Sequence, residues 1–318
     1  MAIKKESKQI ISLATSHLRQ GKLVAVMTET VYGLAVDASN CSAIKALYKI
    51  KKRPAINPLI IHINSIEMAE KIAHFNKEAK TLASIFWPGP LTLILKKKKS
   101  ANLSTIATSG LDTVGIRMPS SRVFLDLISS FGKPIAAPSA NLSGYISSTR
   151  ANHVEECFGK KIELIIDSKS SKFGLESTII NLSDKNFKIE RIGVIDSEII
   201  FKKAKIKIKS ESKKSKTKII APGQLMKHYS PKTPIRLNAK KASQNEAFLV
   251  FGNKFPDSSN SCLNLSKKGN LDEAAFNLFD FLRKLDKLDK DCIAISAIPK
   301  TGLGKVINEK LKRANLNE

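Results

Sequence analysis

The chain has 318 residues, enough for two domains, and 42% of them are hydrophobic, enough to build genuine cores. Its 54 Lys and Arg against 28 Asp and Glu leave a formal charge of +26, which favours polyanions such as nucleotides or RNA, although many of these lysines read as solvated surface. No apolar run reaches the length of a membrane-crossing helix, so none is expected, nor is a membrane partner. The opening MAIKKESKQIISLATSHLRQ lacks an apolar signal core, and it reads as the first amphipathic helix. Cys41, Cys157, Cys262 and Cys292 form no CxxC pair, so neither a disulfide framework nor a zinc site is expected, and a reducing cytoplasm suits them.

In chain order, the spacing of Ile10, Ile11, Ala14 and Leu18 predicts a helix over 7–19, stopped by Gly21. KLVAVMTET reads as a strand running into a hydroxyl-rich turn, VYGLAVDA follows it, and CSAIKALYKIK is a short helix. KIKKRPAINPLIIHI, residues 49–63, packs four cations and two prolines into its first ten residues and then becomes an apolar strand that carries His62. One or two helices follow over SIEMAEKIAHFNKEAKTLASIF, then a strand in WPGPLTLILKKKK, DTVGIRMPS, a helix over 121–131, and a short strand in KPIAAPSANLSG. LIIDS, LESTIINLS and KIERIGVI are three more short strands. This alternation means α/β around a mixed, twisted sheet.

Residues 202–218 hold nine lysines and one glutamate, and their mutual repulsion argues against a packed element and marks a boundary. IIAPGQLMKHYSPKTPIRL behind it carries three prolines, so it reads as an ordered, extended linker. From about 235 the alternation resumes. A strand in EAFLVFG, an amphipathic helix with Ala275, Leu278, Phe279 and Leu282 inward, a strand in CIAISAIP and a glycine-led helix make a smaller α/β domain. The expected division is 1–201, a tether and linker over 202–234, and 235–318.

Neither a GxxxxGK[ST] loop nor a GxGxxG turn after a strand is present. Polar residues cluster instead at strand ends: TETVYG (28–33), KKRPAINP (51–58) with His62, DTVGIRMP (112–119), APSANLSGYISST (137–149), and GLESTIINLS (174–183) with Arg191. They supply Arg53, Arg117, Arg191, Lys51 and Lys52 among many hydroxyls and few carboxylates. That inventory describes an anion-binding cavity. There is no nucleophile elbow and no Ser-His-Asp order, so such a site would act by holding reactants together and stabilising phosphoryl charge. Taken singly, each cluster also fits a turn, a core histidine or a helix cap.

In this order the motifs carry a family resemblance. TETVYGLAVDA, KIKKRPAINPLIIHI, WPGPLTLIL, VGIRMPS, PIAAPSANLSG, GLESTII, APGQLMKHYSPKTP and GLGKVINEKLKRA resemble the L-threonylcarbamoyladenylate synthases in their two-domain form. The fold this implies is a YrdC-like twisted mixed sheet with helices around a basic cavity, plus a smaller C-terminal Rossmann-like α/β domain. The implied activity joins L-threonine, bicarbonate or carbon dioxide, and ATP into threonylcarbamoyl-AMP and pyrophosphate, and other proteins then transfer the threonylcarbamoyl group to tRNA adenosine beside the anticodon. By this resemblance Thr30, His62, Arg117, Ala137 and Ser177 bind threonine, with Arg117 clamping its carboxylate. Arg53, Asn57, Thr113, Ser139, Ser147, Arg191 and Tyr229 bind ATP, and Lys51 adds charge near the phosphates. Magnesium is expected with the triphosphate and without a dedicated protein ligand, the linker is expected to act as a lid, and the lysines suggest weak RNA affinity. Met27, Asn181 and Ile192 depart from the family pattern. A basic RNA-binding protein of the same fold is the alternative. A hydrogenase-maturation carbamoyl transferase would carry zinc-finger cysteines and an acylphosphatase region that this sequence lacks.

Overall fold

The computed structural model of the chain describes residues 2–209, 219–224, 228–254 and 261–315. The first domain runs β1 (Ala2–Lys5), α1 (Lys8–Arg19), β2 (Val24–Met27), β3 (Tyr32–Asp37), α2 (Cys41–Lys51), β4 (Ile60–His62), α3 (Ile66–Ile72), α4 (Lys77–Phe86) and β5 (Leu91–Lys96). It continues with β6 (Thr113–Arg117), α5 (Arg122–Phe131), β7 (Ile135–Ala136), α6 (Ala151–Phe158), β8 (Leu164–Asp167), β9 (Thr178–Asn181), β10 (Lys188–Arg191) and α7 (Ser197–Ala204). The second comprises β11 (Ile235–Arg236), β12 (Glu246–Val250), β13 (Cys262–Asn264), α8 (Leu271–Leu285), β14 (Cys292–Ile295) and α9 (Leu303–Ala314). Local sequence sets many of the helix starts. Ser7, Asn40, Ser65, Asn76, Asp196 and Asn270 each accept, through the side chain, the N–H three residues ahead, satisfying a donor that the helix leaves over.

The first sheet has ten strands in the order β1-β8-β2-β3-β7-β4-β6-β5-β9-β10, and the second four in the order β11-β14-β12-β13. The large sheet mixes parallel pairs, such as β4 with β6, and antiparallel ones, such as β5 with β6. The pairings described for the small sheet are all parallel. The register of β4 on β6 does most to position the site. His62 and Arg117 are partners at the ends of these two strands, so their side chains leave the sheet side by side and on the same face.

Three expectations need correction. The first residues open with β1, a strand parallel to β8, before the helix; Lys4 and Lys5 suit an edge strand, where charge discourages further pairing. Helices α6 and α7 lie in stretches without an assigned element. The last of these ends at Ala204, so the packed first domain reaches past residue 201 into the lysine run. The remainder of that run, 210–218, lies outside the described residues.

Helix α8 serves two cores. Its Ala275, Leu278, Phe279 and Leu282 are buried as expected. On another face, Arg283 donates to the carbonyls of Ile146 (2.5 Å) and Ser147 (3.4 Å), and Asp280 meets His153 Nε2 at 3.1 Å with Arg150 and Lys284 beside it. Gly174 lets the first domain approach this helix: a Cβ there would lie 2.5 Å from the Ala275 carbonyl oxygen. Burial alone would raise the Asp280 carboxyl, but hydrogen bonds from His153 and Lys284 and the charge of Arg150 outweigh it and hold the pKa well below the usual range. A depressed carboxylate pKa contributes stability above the unfolded value of about 4 and loses it as pH falls through the folded value. Asp280→Ala is therefore expected to cost roughly 3 kcal/mol in urea unfolding at neutral pH, by the measure of a buried pair broken on one side. The gap from the unaltered protein should shrink as pH falls below about 4. Equal stability of the two proteins at neutral pH would contradict this account of the domain junction.

Candidate active site

The site is assembled from strand ends. In the turn between β2 and β3, Thr28 Oγ1 accepts the N–H groups of Thr30 (3.1 Å) and Val31 (3.2 Å) and donates to the Val31 carbonyl (2.7 Å). Its one proton being so used, the Thr30 hydroxyl 2.7 Å away donates to it. Glu29 in the same turn reaches Arg117 Nη2 at 2.6 Å and accepts the Ser120 N–H at 3.1 Å. Arg117 Nε donates to the Gly89 carbonyl at 3.3 Å. Beside it, His62 is 2% exposed and packs its ring 5.0 Å from that of Phe124. Burial first, and the neighbouring Arg117 second, push its pKa well below 6.5, so the imidazole is neutral at physiological pH. Its Nδ1 has no hydrogen-bond partner among the described residues.

Across from them, the Ala137 N–H donates to the Ile60 carbonyl (3.1 Å), which brings APSAN past the end of β4. Arg191 enters from β10, where the ladder to β9 is irregular between Ile189 and Arg191; such a bulge re-aims a side chain. Its Nε and Nη2 donate to the Ser177 carbonyl (3.0 Å) and hydroxyl (2.9 Å). This approach needs Gly193, where a Cβ would stand 2.4 Å from the Ser177 carbonyl carbon. In the KIKKRP loop, Arg53 donates to the Asn57 carbonyl (3.0 Å), Asn57 Oδ1 (2.7 Å) and the Pro58 carbonyl (2.8 Å). Burial lowers the Arg53 guanidinium to about 10, so it stays charged at neutral pH.

These groups surround a cavity of about 40 Å³, room for a few waters. Of the residues singled out from sequence, Thr30, Arg53, His62, Arg117, Ala137, Ser139, Ser177 and Arg191 line it. Asn57 stands behind Arg53 as its hydrogen-bond anchor. Ser147 stands behind Glu176 and donates to its Oε1 at 2.5 Å. Thr113 opens β6 and lines a separate 10 Å³ void under Ile220 and Pro222. Tyr229 is 1% exposed and stacks on Phe279 of α8, ring centroids 5.4 Å apart. Its φ of 64° is costly for a non-glycine residue and recurs at functional segments.

Lys51 has a structural task as well. It is buried and donates to the carbonyls of Ser139 (2.6 Å) and Asn141, and burial followed by the nearby Arg53 holds its pKa well below the ordinary lysine value. Its amine pins the PSAN loop. Asn181 also acts away from the cavity: it accepts the Ser183 N–H and hydroxyl in a turn. The Ile192 carbonyl accepts from Lys310 at 2.9 Å.

Sequence reasoning passed over Glu29, Glu176 and His228. The first two were visible as the lone acids within hydroxyl-rich clusters. Glu176 is 3% exposed, lines the cavity, and keeps Oε2 without a partner among the described residues. His228 and Pro222 bring the linker itself into the cavity wall. Burial, then Lys310, Arg191, Arg53 and Arg313, hold His228 well below 6.5 and neutral.

A sheet whose strand ends converge on a buried, arginine-lined cavity, closed by a linker from a second domain, defines a two-domain YrdC-like protein that binds anionic substrates. The profile described as "Telomere recombination" matches residues 16–193, and that described as "Threonylcarbamoyl-AMP synthase, C-terminal domain" matches 187–315. The threonylcarbamoyl-AMP synthase of Pyrococcus abyssi is 39% identical, covering 96% of this chain and 94% of that protein; the one of Bacillus subtilis is 37% identical, covering 96% and 92%. The crystal structure of P. abyssi Sua5 complexed with L-threonine superposes with a TM-score of 0.90 at 36% identity, covering 98% of this chain and 96% of that one. The chain belongs to the threonylcarbamoyl-AMP synthase family.

The state of His62 can be checked directly. Because its folded pKa lies below the unfolded value, the unfolded chain takes up a proton first, and stability drawn from neutral His62 declines as pH falls below about 6.5. In the folded protein its imidazole NMR signals are expected to stay constant from about pH 8 to about pH 6. A titration midpoint near 6.5 would contradict the burial argument.

Proposed function

We propose that the protein condenses L-threonine, bicarbonate or carbon dioxide, and ATP into L-threonylcarbamoyl-AMP, with release of pyrophosphate. The product serves threonylcarbamoyl modification of tRNA adenosine next to the anticodon. The observation that carries this reading is one cavity wall that brings Arg117 and neutral His62 together with Arg53 and Arg191. One guanidinium suits an amino-acid carboxylate and the others suit a triphosphate. A protein that only bound RNA would need surface cations and no such buried arrangement.

In the reaction, the threonine ammonium first loses a proton; the free amine then bonds to the one-carbon unit, losing a second proton when that unit is carbon dioxide or releasing water when it is bicarbonate, and a carbamate is left. A carbamate oxygen then bonds to the α-phosphorus of ATP while the bond to the bridging β-phosphate oxygen breaks, and pyrophosphate leaves. The carbamate, the threonine carboxylate and the triphosphate are all anionic, so the main task of the protein is to offset their repulsion in a place without bulk water. Arg117 would hold the carboxylate, while Thr30, His62, Ser177 and the Ala137 backbone shape the pocket around the side chain and amine. Neutral His62 is suited to hydrogen bonding and poorly suited to taking a proton from an ammonium group. Arg53, set by Asn57, and Arg191, set by Ser177, would face the phosphates with Ser139. Ser147 acts through Glu176.

Magnesium would accompany the triphosphate. Among the described residues no group of three or more His, Cys, Asp or Glu side chains stands together, and Glu29 is engaged by Arg117. The free Oε2 of Glu176 is the remaining carboxylate oxygen in the wall. An ion that keeps phosphate oxygens and waters as its other ligands needs no more than that, so the residues fit it, and Glu176 would hold it. Bound magnesium would supply charge neutralisation on the phosphates. Pro222 and His228 of the linker stand in the cavity wall, where a nucleotide reaching the arginines would meet them. That supports a lid role for the linker, with Tyr229 seated against the second domain when it is shut. A closed lid shields a mixed anhydride from water. A cytoplasmic location, downstream transfer proteins as partners and weak RNA affinity complete the proposal; no helix among the described residues is long and apolar enough to cross a membrane.

The test is pyrophosphate release with ATP, bicarbonate and single amino acids. Threonine-dependent release is expected, and its absence would contradict the proposal. Arg117→Ala is expected to abolish threonine binding while ATP binding persists; equal loss of both would show that Arg117 has another role.

A further inference from the structure

We propose that Glu29 is the positioning residue that fixes Arg117 and thereby sets how the substrate carboxylate is received. Arg117 and Glu29 are 4% and 5% exposed, so neither charge is screened by bulk water. The guanidinium has two usable edges. The edge of Nε and Nη2 is occupied, because Nε donates to the Gly89 carbonyl at 3.3 Å and Nη2 to Glu29 Oε1 at 2.6 Å. The edge made by Nη1 and the second hydrogen of Nη2 has no partner among the described residues. It therefore offers the two parallel donors that a carboxylate takes bidentately. Glu29 thus selects one rotamer of Arg117 and one edge for binding.

Glu29 is itself held at both ends. Its Oε2 accepts the Ser120 N–H (3.1 Å), and its backbone carbonyl accepts the Phe173 N–H (2.8 Å). It also places a negative charge against the buried guanidinium of Arg117, whose positive charge acts on that of Arg191. Without it, Arg117 would keep one long hydrogen bond and could turn toward other carbonyls, and the carboxylate would meet a mobile cation.

The inference rests on the reading that Arg117 receives the threonine carboxylate, and the variants separate the two. Glu29→Ala is expected to weaken threonine binding by at least about ten-fold in calorimetry, with ATP affinity changed by less than about two-fold, since truncating one partner of a buried charge pair is costly at that pair and distant sites behave independently. Glu29→Gln offers one acceptor where glutamate offers two, so either Arg117 or the Ser120 N–H loses its partner, and an intermediate loss is expected. It preserves shape, and it carries the test should the alanine variant fold poorly. Glu29→Asp keeps the charge and shortens the reach; it is expected not to restore affinity. The double variant Glu29→Ala, Arg117→Ala is expected to bind threonine no worse than Arg117→Ala alone, because the two act as one unit. Unchanged threonine affinity in both Glu29→Ala and Glu29→Gln, with Arg117→Ala still deficient, would overturn the inference. Equal loss of threonine and ATP binding would overturn it too, as would full rescue by Glu29→Asp. Normal threonine binding by Arg117→Ala would overturn the underlying assignment instead.

Discussion

Three guanidinium groups, those of half-buried Arg53 and buried Arg117 and Arg191, stand around one small cavity, and much of the surrounding structure exists to keep them there. Each would regain its hydration by escaping to water. Each is held instead by named acceptors: Asn57 and Pro58 for Arg53, Glu29 and Gly89 for Arg117, Ser177 for Arg191. The carbonyls cost little, since strand ends and tight turns leave them over. What they provide is direction, because a guanidinium with some donors anchored presents the remaining ones at fixed angles. Burial first, and the same positive charge second, hold His62 and His228 in their neutral forms, which supplies hydrogen-bonding groups without adding repulsion.

The second domain makes sense in that light. Part of the wall of this cationic cavity is the linker that joins the domains, through Pro222 and His228. Its Ala221 packs with Ile60, Ile94 and Ile179 of the large sheet. On the other side, Tyr229 stacks on Phe279 of α8, with the Lys310 ammonium of α9 5.0 Å from its ring centre, and Arg313 of α9 donates to the Gly223 carbonyl. The linker is therefore stitched to both domains by different chemistry, apolar on the sheet side and cation-to-ring and cation-to-carbonyl on the helix side. A cover held by such separable contacts can be released as a unit.

Much of this architecture is legible in the amino-acid sequence. Period-2 and period-3.6 patterns place most strands and helices, and polar clusters at strand ends place the cavity, because apolar periodicity reports burial directly and strand ends are where α/β folds leave room. The features that do not show have physical reasons. β1 is four residues long and half lysine, so edge pairing with β8 and not its own apolarity makes it a strand. α6 and α7 are eight residues each, too short for a strong periodic signal. Lys51 reads as a phosphate contact because its residue type fits; only the packing of α2 against the PSAN loop shows its amine already committed to two carbonyls. Glu29 is obscured by the reverse argument. A carboxylate in an anion-binding cluster looks out of place until the fold sets the β2–β3 turn against the end of β6, with Arg117 2.6 Å from it.

The central claim is that one prepared edge of Arg117, next to neutral His62, receives the carboxylate of threonine. A crystal structure of this protein with L-threonine at neutral pH tests it most directly. The account predicts the carboxylate on Nη1 and Nη2 of Arg117, with the Glu29 contact intact and the amino acid bounded by Thr30 and His62. A carboxylate bound instead to Arg53 or Arg191, or one that displaces Glu29 from Arg117, would contradict it.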